Sequence, residues 1–233
     1  MDVTHTRLLE GAQTAQGVAV IIDVFRAFTC EPLLFSLGIE KSILVATPQD
    51  AFALKEKINE LVLIGEVEGM PIEGFDLGNS PSEILKKGRA FFEGKTVVHR
   101  TSSGVQGVLT ALDVADEVLP ASYALAGSIA RYIQAKQPPR VSIVSMGWAL
   151  RHKAPEDEWC GRYIAHLLGV ADYNHNEAIQ EIIYNQTTQK FFDPEKPHFP
   201  PEDPIMCLQL NVHNFVLRAE RDGDGVVVNK IDF

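Results

Sequence analysis

The chain has 233 residues, room for one large domain or two small ones, and its 45% apolar content can bury a core. Against 21 Lys and Arg stand 31 Asp and Glu, a net charge of −10 with no basic stripe, which argues against nucleic-acid or anionic-membrane partners. Three scattered cysteines (Cys30, Cys160, Cys207) fit reduced thiols, no apolar run approaches a membrane span, and Met1-Asp2-Val3-Thr4-His5 lacks the pattern of a signal peptide, so a soluble cytoplasmic protein is expected.

In chain order, a buried strand is predicted over 17–22 and a short helix over 29–37 with Pro32 in its first turn. A strand over 42–46, a helix over 48–59 and a strand over 61–64 come next. A glycine-rich loop then leads to a helix over 81–87, where Ser80-Pro81-Ser82-Glu83 reads as a capping box. Strand 95–99 runs through Thr101-Ser102-Ser103-Gly104 into helix 105–112. Strand 117–119, helix 122–134, strand 141–145 and helix 156–168 continue the alternation. The tail departs from it: helix 172–184, a proline-rich loop over 191–204, then strands over 206–211, 214–218 and 226–231, the last two joined through Asp222-Gly223-Asp224-Gly225 as a hairpin.

Strands separated by helices predict an α/β fold, a layered α/β/α arrangement with a largely parallel or mixed sheet and a C-terminal β-hairpin. No repeat or linker divides it, so residues 1–233 read as a single domain. Reactive loops of such sheets gather beyond the C-terminal strand ends. Asp23, Thr101-Ser102-Ser103-Gly104 and Met146-Gly147 stand where a strand gives way to a loop.

Asp23 can bind metal or attack, and Arg26 offers a planar fork for an oxyanion; a strand-end salt bridge is the plainer alternative. The hydroxyl and backbone donors of Thr101, Ser102, Ser103 and Gly104 suit an anion, as do Asn79 and Ser80 at a helix start. Glu73 and Asp76, just upstream, are placed to hold a divalent cation beside that anion. Glu156, Asp157 and Glu158 are accounted for by the helix dipole, with a metal role open for one of them. No two histidines have the spacing of a helical metal pair, and an all-oxygen carboxylate site suits Mg²⁺ better than zinc.

Taken together, Asp23-Val24-Phe25-Arg26-Ala27, Gly65-Glu66, the run from Glu73-Gly74-Phe75-Asp76 through Leu77-Gly78-Asn79-Ser80-Pro81, Thr101-Ser102-Ser103-Gly104, Ala121-Ser122 and Glu156-Asp157-Glu158 with Gly161 resemble the 2-phosphosulfolactate phosphatases, the phosphatase step of coenzyme M biosynthesis. The resemblance covers nearly the whole chain. It implies a Mg²⁺-dependent hydrolase that releases phosphate from a small anionic phosphorylated metabolite, giving sulfolactate. It further implies metal ligation by Asp23, Asp76, Glu73 and Asp157, with Asp23, Arg26 and Asp76 catalytic. Arg26, Asn79, Ser80, Thr101, Ser102, Ser103 and Gly104 would hold phosphate and sulfonate oxygens. Asp76→Asn is accordingly expected to abolish turnover. Phe25, Phe28, Val105 and Trp148 depart from the family's usual residues, which leaves another small phosphorylated acid, or a non-catalytic anion-binding relative, as alternatives. Monomer and homo-oligomer both stay open.

Overall fold

The structure, a computed structural model, describes every residue except Asn59 and Asp224, so the last residue of the expected 48–59 helix and the centre of the expected 222–225 turn lie outside the described residues. Ten strands form one mixed sheet: β1 (Asp2–Arg7), β2 (Val18–Ile22), β3 (Lys41–Leu44), β4 (Leu61–Val67), β5 (Met70–Pro71), β6 (Thr96–Arg100), β7 (Glu117–Ala121), β8 (Arg140–Ser145), β9 (Val216–Asp222) and β10 (Gly225–Ile231). Their spatial order is β1-β8-β2-β7-β9-β10-β3-β6-β4-β5, with helices packed around them.

The pairings make two parallel sets. In one, β1, β8, β2 and β7 run together; in the other, β3, β6 and β4 do. Antiparallel β9 and β10 join the sets, pairing with β7 on one side and β3 on the other. The C-terminal hairpin thus sits in the middle of the sheet. With a twist of roughly 20–25° per strand, the five steps from β2 to β6 rotate the strand direction by on the order of 100°. The ends of β2 and β6, opposed in a flat sheet, can therefore face one space.

The β2 strand is wholly apolar and every residue of it is buried, as a strand covered on both faces requires. A single hydrophobic cluster takes in Ala12, Val20, Phe28, Ile64, Leu119, Ile143, Ile164 and Val228, so both ends of the chain feed the same core. The helices Leu8–Gln13 and Arg89–Phe92 and the short strand Met70–Pro71 lie outside the sequence expectation, and further elements differ from it. β1, Asp-Val-Thr-His-Thr-Arg, carries too little apolar signal to read as a strand, yet as an edge strand it needs only one neighbour, β8. The expected strand over 206–211 does not form: Glu202–Cys207 is a helix, with Pro204 in its first turn where a missing N–H is harmless, and residues 208–211 are in neither helix nor strand. The expected loop over 191–204 also contains a 3-10 turn, Lys190–Phe192.

Candidate active site

Beyond the ends of β2, β4, β6 and β8 lies a narrow cleft bordered by Asp23, Arg26, Glu66, Asn79, Ser102, Ser103, Gly147, Glu156, Asp157 and Lys190 among others. Asp23 is buried at the tip of β2, and its Oδ2 accepts the Gly104 N–H at 2.8 Å, at the start of the helix Gly104–Ala111. A Cβ on Gly104 would stand 2.7 Å from that oxygen, so only glycine allows the approach. Glu66, on β4, accepts the Ser102 N–H at 2.6 Å and the Ser102 hydroxyl at 3.1 Å. Asp157 accepts Val24 N–H and Gly147 N–H, each at 2.8 Å, one on each oxygen, and so ties the loops after β2 and β8 together.

These carboxyls crowd one another out of water. Burial, then the Glu66 charge, pushes Asp23 up to about 6. Burial pushes Glu156 up to about 7, and burial with the charges of Asp23 and Glu156 raises Asp157 well above the ordinary range. Two cations face them. Arg26 lies under the rings of Phe191 and Phe199, its Cζ 5.5 and 4.9 Å from their centroids. Lys190 Nζ lies 5.4 and 4.7 Å from the same two centroids, and burial lowers its pKa. Among the described residues the Lys190 ammonium has no hydrogen-bonded partner; the nearby Thr187 hydroxyl donates instead to Glu156 at 2.9 Å. Phe25 meets Phe191 edge-on at 5.4 Å and completes an apolar wall.

Below the cleft, Asp203 is fully buried and accepts Arg26 Nη1 at 2.8 Å, the Ser80 hydroxyl at 2.9 Å and Ser82 N–H at 3.0 Å. The expected cap is present, since Ser80 Oγ accepts Glu83 N–H at 3.3 Å, without a return bond from the Glu83 side chain. Asn79 borders the cleft, and its Oδ1 lies 3.0 Å from His99 Nε2.

The structure brings Asp23, Arg26, Asn79, Ser102, Ser103 and Asp157 to one place. It puts Glu73 and Asp76 elsewhere. Both are exposed on the surface loop before Leu77, and Asp76 Oδ2 accepts Leu63 N–H at 2.8 Å and Lys55 at 3.4 Å. The expected grouping of Asp23, Glu73, Asp76 and Asp157 around one cation is therefore corrected: nearness in sequence to the capped helix does not carry Asp76 to the cleft. Ser80 and Thr101 point inward, to Asp203 and Val105 N–H, and the start of the 81–87 helix is occupied by the protein's own carboxylate. Phe28 and Val105 belong to the core, so neither shapes the cleft, whereas Phe25 and Trp148 border it. Lys190, Thr187 and Phe199 carried no sequence signal, standing alone in a stretch without motif.

The donor set fits a hard divalent cation. Five carboxylates border the cleft (Asp23, Glu66, Glu68, Glu156 and Asp157); Asp23 and Glu156 are each steadied by an N–H or O–H on one oxygen and Glu66 on both, as ligating carboxylates commonly are. Among the described residues no three His, Cys, Asp or Glu form a ready-made cage. Mg²⁺ usually takes one or two carboxylates and fills its remaining positions with water and substrate oxygens, which this cleft permits.

A family model described as 2-phosphosulpholactate phosphatase matches residues 4–222. A Bacillus subtilis protein named "Probable 2-phosphosulfolactate phosphatase" is 30% identical over 216 residues, 92% of each chain. Proteins of the same name from Deinococcus radiodurans and Synechocystis are 33% and 28% identical over 67% and 79% of this chain and 64% and 76% of their own. By sequence over nearly its whole length, this chain belongs to the 2-phosphosulfolactate phosphatase family.

Proposed function

We propose that the protein is a Mg²⁺-dependent phosphatase that hydrolyses 2-phosphosulfolactate to sulfolactate and phosphate. One observation carries this reading: Arg26 and Lys190 face Asp23, Glu66 and Glu156 across a single cleft at converging strand ends. Positive side chains for substrate oxygens stand beside carboxylates for a cation. Phosphoryl transfer asks little covalent chemistry of a protein beyond positioning and charge stabilisation.

Within that reading Arg26, held by Asp203, presents a fixed guanidinium to phosphate oxygens, and Lys190 neutralises a second acidic group. Ser103, which borders the cleft, and Asn79 supply neutral donors. Asp23 is held by Gly104 with its carboxyl at the cleft, oriented either to attack phosphorus or to direct a water at it. Phe25, Phe199 and Trp148 shield the site from bulk solvent and strengthen every charge interaction inside. Asp23 and Glu156, with Glu66, would hold Mg²⁺, which when bound neutralises phosphate charge and polarises the phosphoryl group. A cytoplasmic location agrees with three buried free cysteines, and no described helix is long and apolar enough to cross a membrane. The product would serve coenzyme M synthesis or another sulfonate route.

The test is phosphate release from 2-phosphosulfolactate, 2-phospholactate and 3-phosphoglycerate, with Mg²⁺ and with EDTA. Turnover selective for the sulfonate and lost in EDTA supports the proposal. Selective turnover of another ester transfers the chemistry to that substrate. Binding of these compounds without any turnover rejects catalysis.

A further inference from the structure

We propose that His99, backed by Glu31 and Ser42, is a positioning residue that holds the Asn79 carboxamide with its NH₂ group turned into the cleft, where it donates to a phosphate oxygen of the substrate. The proposal rests on the phosphatase reading and adds residues that lie wholly outside the cleft.

His99 is on β6, between β3 and β4, and is fully buried. Its Nδ1 lies 2.6 Å from Glu31 Oε1, on the helix Ala27–Ser36, and the Ser42 hydroxyl on β3 donates to the same oxygen at 2.9 Å. Its Nε2 lies 3.0 Å from Asn79 Oδ1. A carboxamide oxygen can only accept, so Nε2 carries a hydrogen. A second proton lies between Nδ1 and Glu31, and whichever of the two holds it, Nε2–H still donates to Asn79. That bond fixes which way the amide faces. The Asn79 side chain makes one hydrogen bond among the described residues, through Oδ1 to His99, which leaves Nδ2 free at the border of the cleft.

Stability alone does not account for this chain. Burying an imidazole and a carboxylate is expensive, and an apolar pair of similar size fills a core at least as well. Glu31 Oε2 is moreover buried with no partner at all, the mark of a network that is not optimised for packing. What the network does achieve is a rigid line from the sheet centre to one cleft amide.

The experiment measures binding of inorganic phosphate by calorimetry in Mg²⁺ buffer, KM and kcat on 2-phosphosulfolactate, and Tm, for Asn79→Ala, His99→Gln, their double variant, Glu31→Gln and Glu31→Ala. Asn79→Ala is expected to weaken phosphate and raise KM by about tenfold or more, as loss of a hydrogen bond to a charged group does. His99→Gln should weaken phosphate by a similar factor, raise KM more than it lowers kcat, and add nothing in the double variant. Glu31→Gln, whose NH₂ can donate to an unprotonated Nδ1 and so keep the hydrogen on Nε2, should be milder than Glu31→Ala. A folded His99→Gln that binds phosphate like the unsubstituted protein, or whose effect multiplies in full with that of Asn79→Ala, overturns the proposal. Should His99→Gln fail to fold, the Glu31 pair decides: equal, undiminished phosphate affinity in both overturns the proposal, and graded weakening supports it. Phosphate binding that follows this pattern without turnover of 2-phosphosulfolactate, 2-phospholactate or 3-phosphoglycerate rejects the phosphatase assignment and leaves the positioning role standing. No phosphate binding by the unsubstituted protein rejects both.

Discussion

Arg26 and Asp203 stand 177 positions apart in the chain, yet their side chains meet at 2.8 Å with both buried. The same carboxylate accepts Ser80 and Ser82, so one residue from the proline-rich tail fixes the arginine and the start of the 81–87 helix together. Asp203→Ala leaves three donors and a buried charge unanswered, and is expected to destabilise the protein by about 3–5 kcal/mol. Asp203→Asn keeps an acceptor for Ser80 and should lose less stability while still raising KM through a loosened Arg26. Urea unfolding of both variants, with kinetics on the asparagine form, checks the two effects separately.

Among the described residues the Lys190 ammonium has no hydrogen-bonded partner; burial lowers its pKa, and it lies against two phenylalanines. Lys190→Gln should cut kcat/KM by about 10–100-fold, the scale of one hydrogen bond to a charged group. KM should carry most of the loss, and the salt dependence of KM should flatten. An unchanged KM would remove Lys190 from substrate binding.

Asp76 gives a contrasting expectation. It sits on the surface, accepting Leu63 N–H and Lys55. Asp76→Ala should lower stability by about 1 kcal/mol for one lost hydrogen bond and leave kcat near the unsubstituted value. Loss of turnover at undiminished stability would return Asp76 to the reaction.

The raised carboxyls make stability fall with pH when no cation is present. A carboxyl whose pKa is higher folded than unfolded binds its proton more tightly in the native state. That preference favours folding at low pH and is lost as pH rises through the folded value. For Asp23 the window runs from the ordinary 3.8 up to about 6, and for Glu156 from 4.5 up to about 7. In EDTA, Asp23→Asn is therefore expected to melt several degrees above the unsubstituted protein at pH 8, at about 2–4 °C per kcal/mol for a chain of this size. The gap should shrink towards pH 4, and Mg²⁺ should raise Tm more for the unsubstituted protein than for the variant. Scanning calorimetry across that range, with and without Mg²⁺, tests all three.

How far the sequence could be read depended on how local each feature is. Asp23 and the Thr101-Ser102-Ser103-Gly104 run were legible because an apolar strand ending in a polar or glycine-bearing loop marks the mouth of a parallel sheet. Arg26 was legible one turn further on. Asp76 misled because a capping box fixes where a helix starts and says nothing of which way the preceding loop turns. Asp203 and Lys190 were hidden for the opposite reason. Each stands in a stretch of prolines and isolated charges; the fold brings Lys190 to the cleft, with Phe191 and Phe199 over Arg26, and Asp203 beneath it. His99 falls within the expected strand over 95–99, but nothing in the sequence links it to Asn79, since its partner Glu31 stands 68 residues away on a helix.

The placement of β9 and β10 between β7 and β3 has a consequence for how the molecule is made and handled. Nascent chain emerging through β8 holds two half-sheets with facing edges unpaired, and the ladder closes only when the residues up to Ile231 arrive. Such late, long-range pairing is slow and leaves sticky strand edges exposed meanwhile. Deleting the hairpin would not trim a border but split the sheet down its middle. It would also part the two halves that contribute Asp23 and Glu66 to a single cleft.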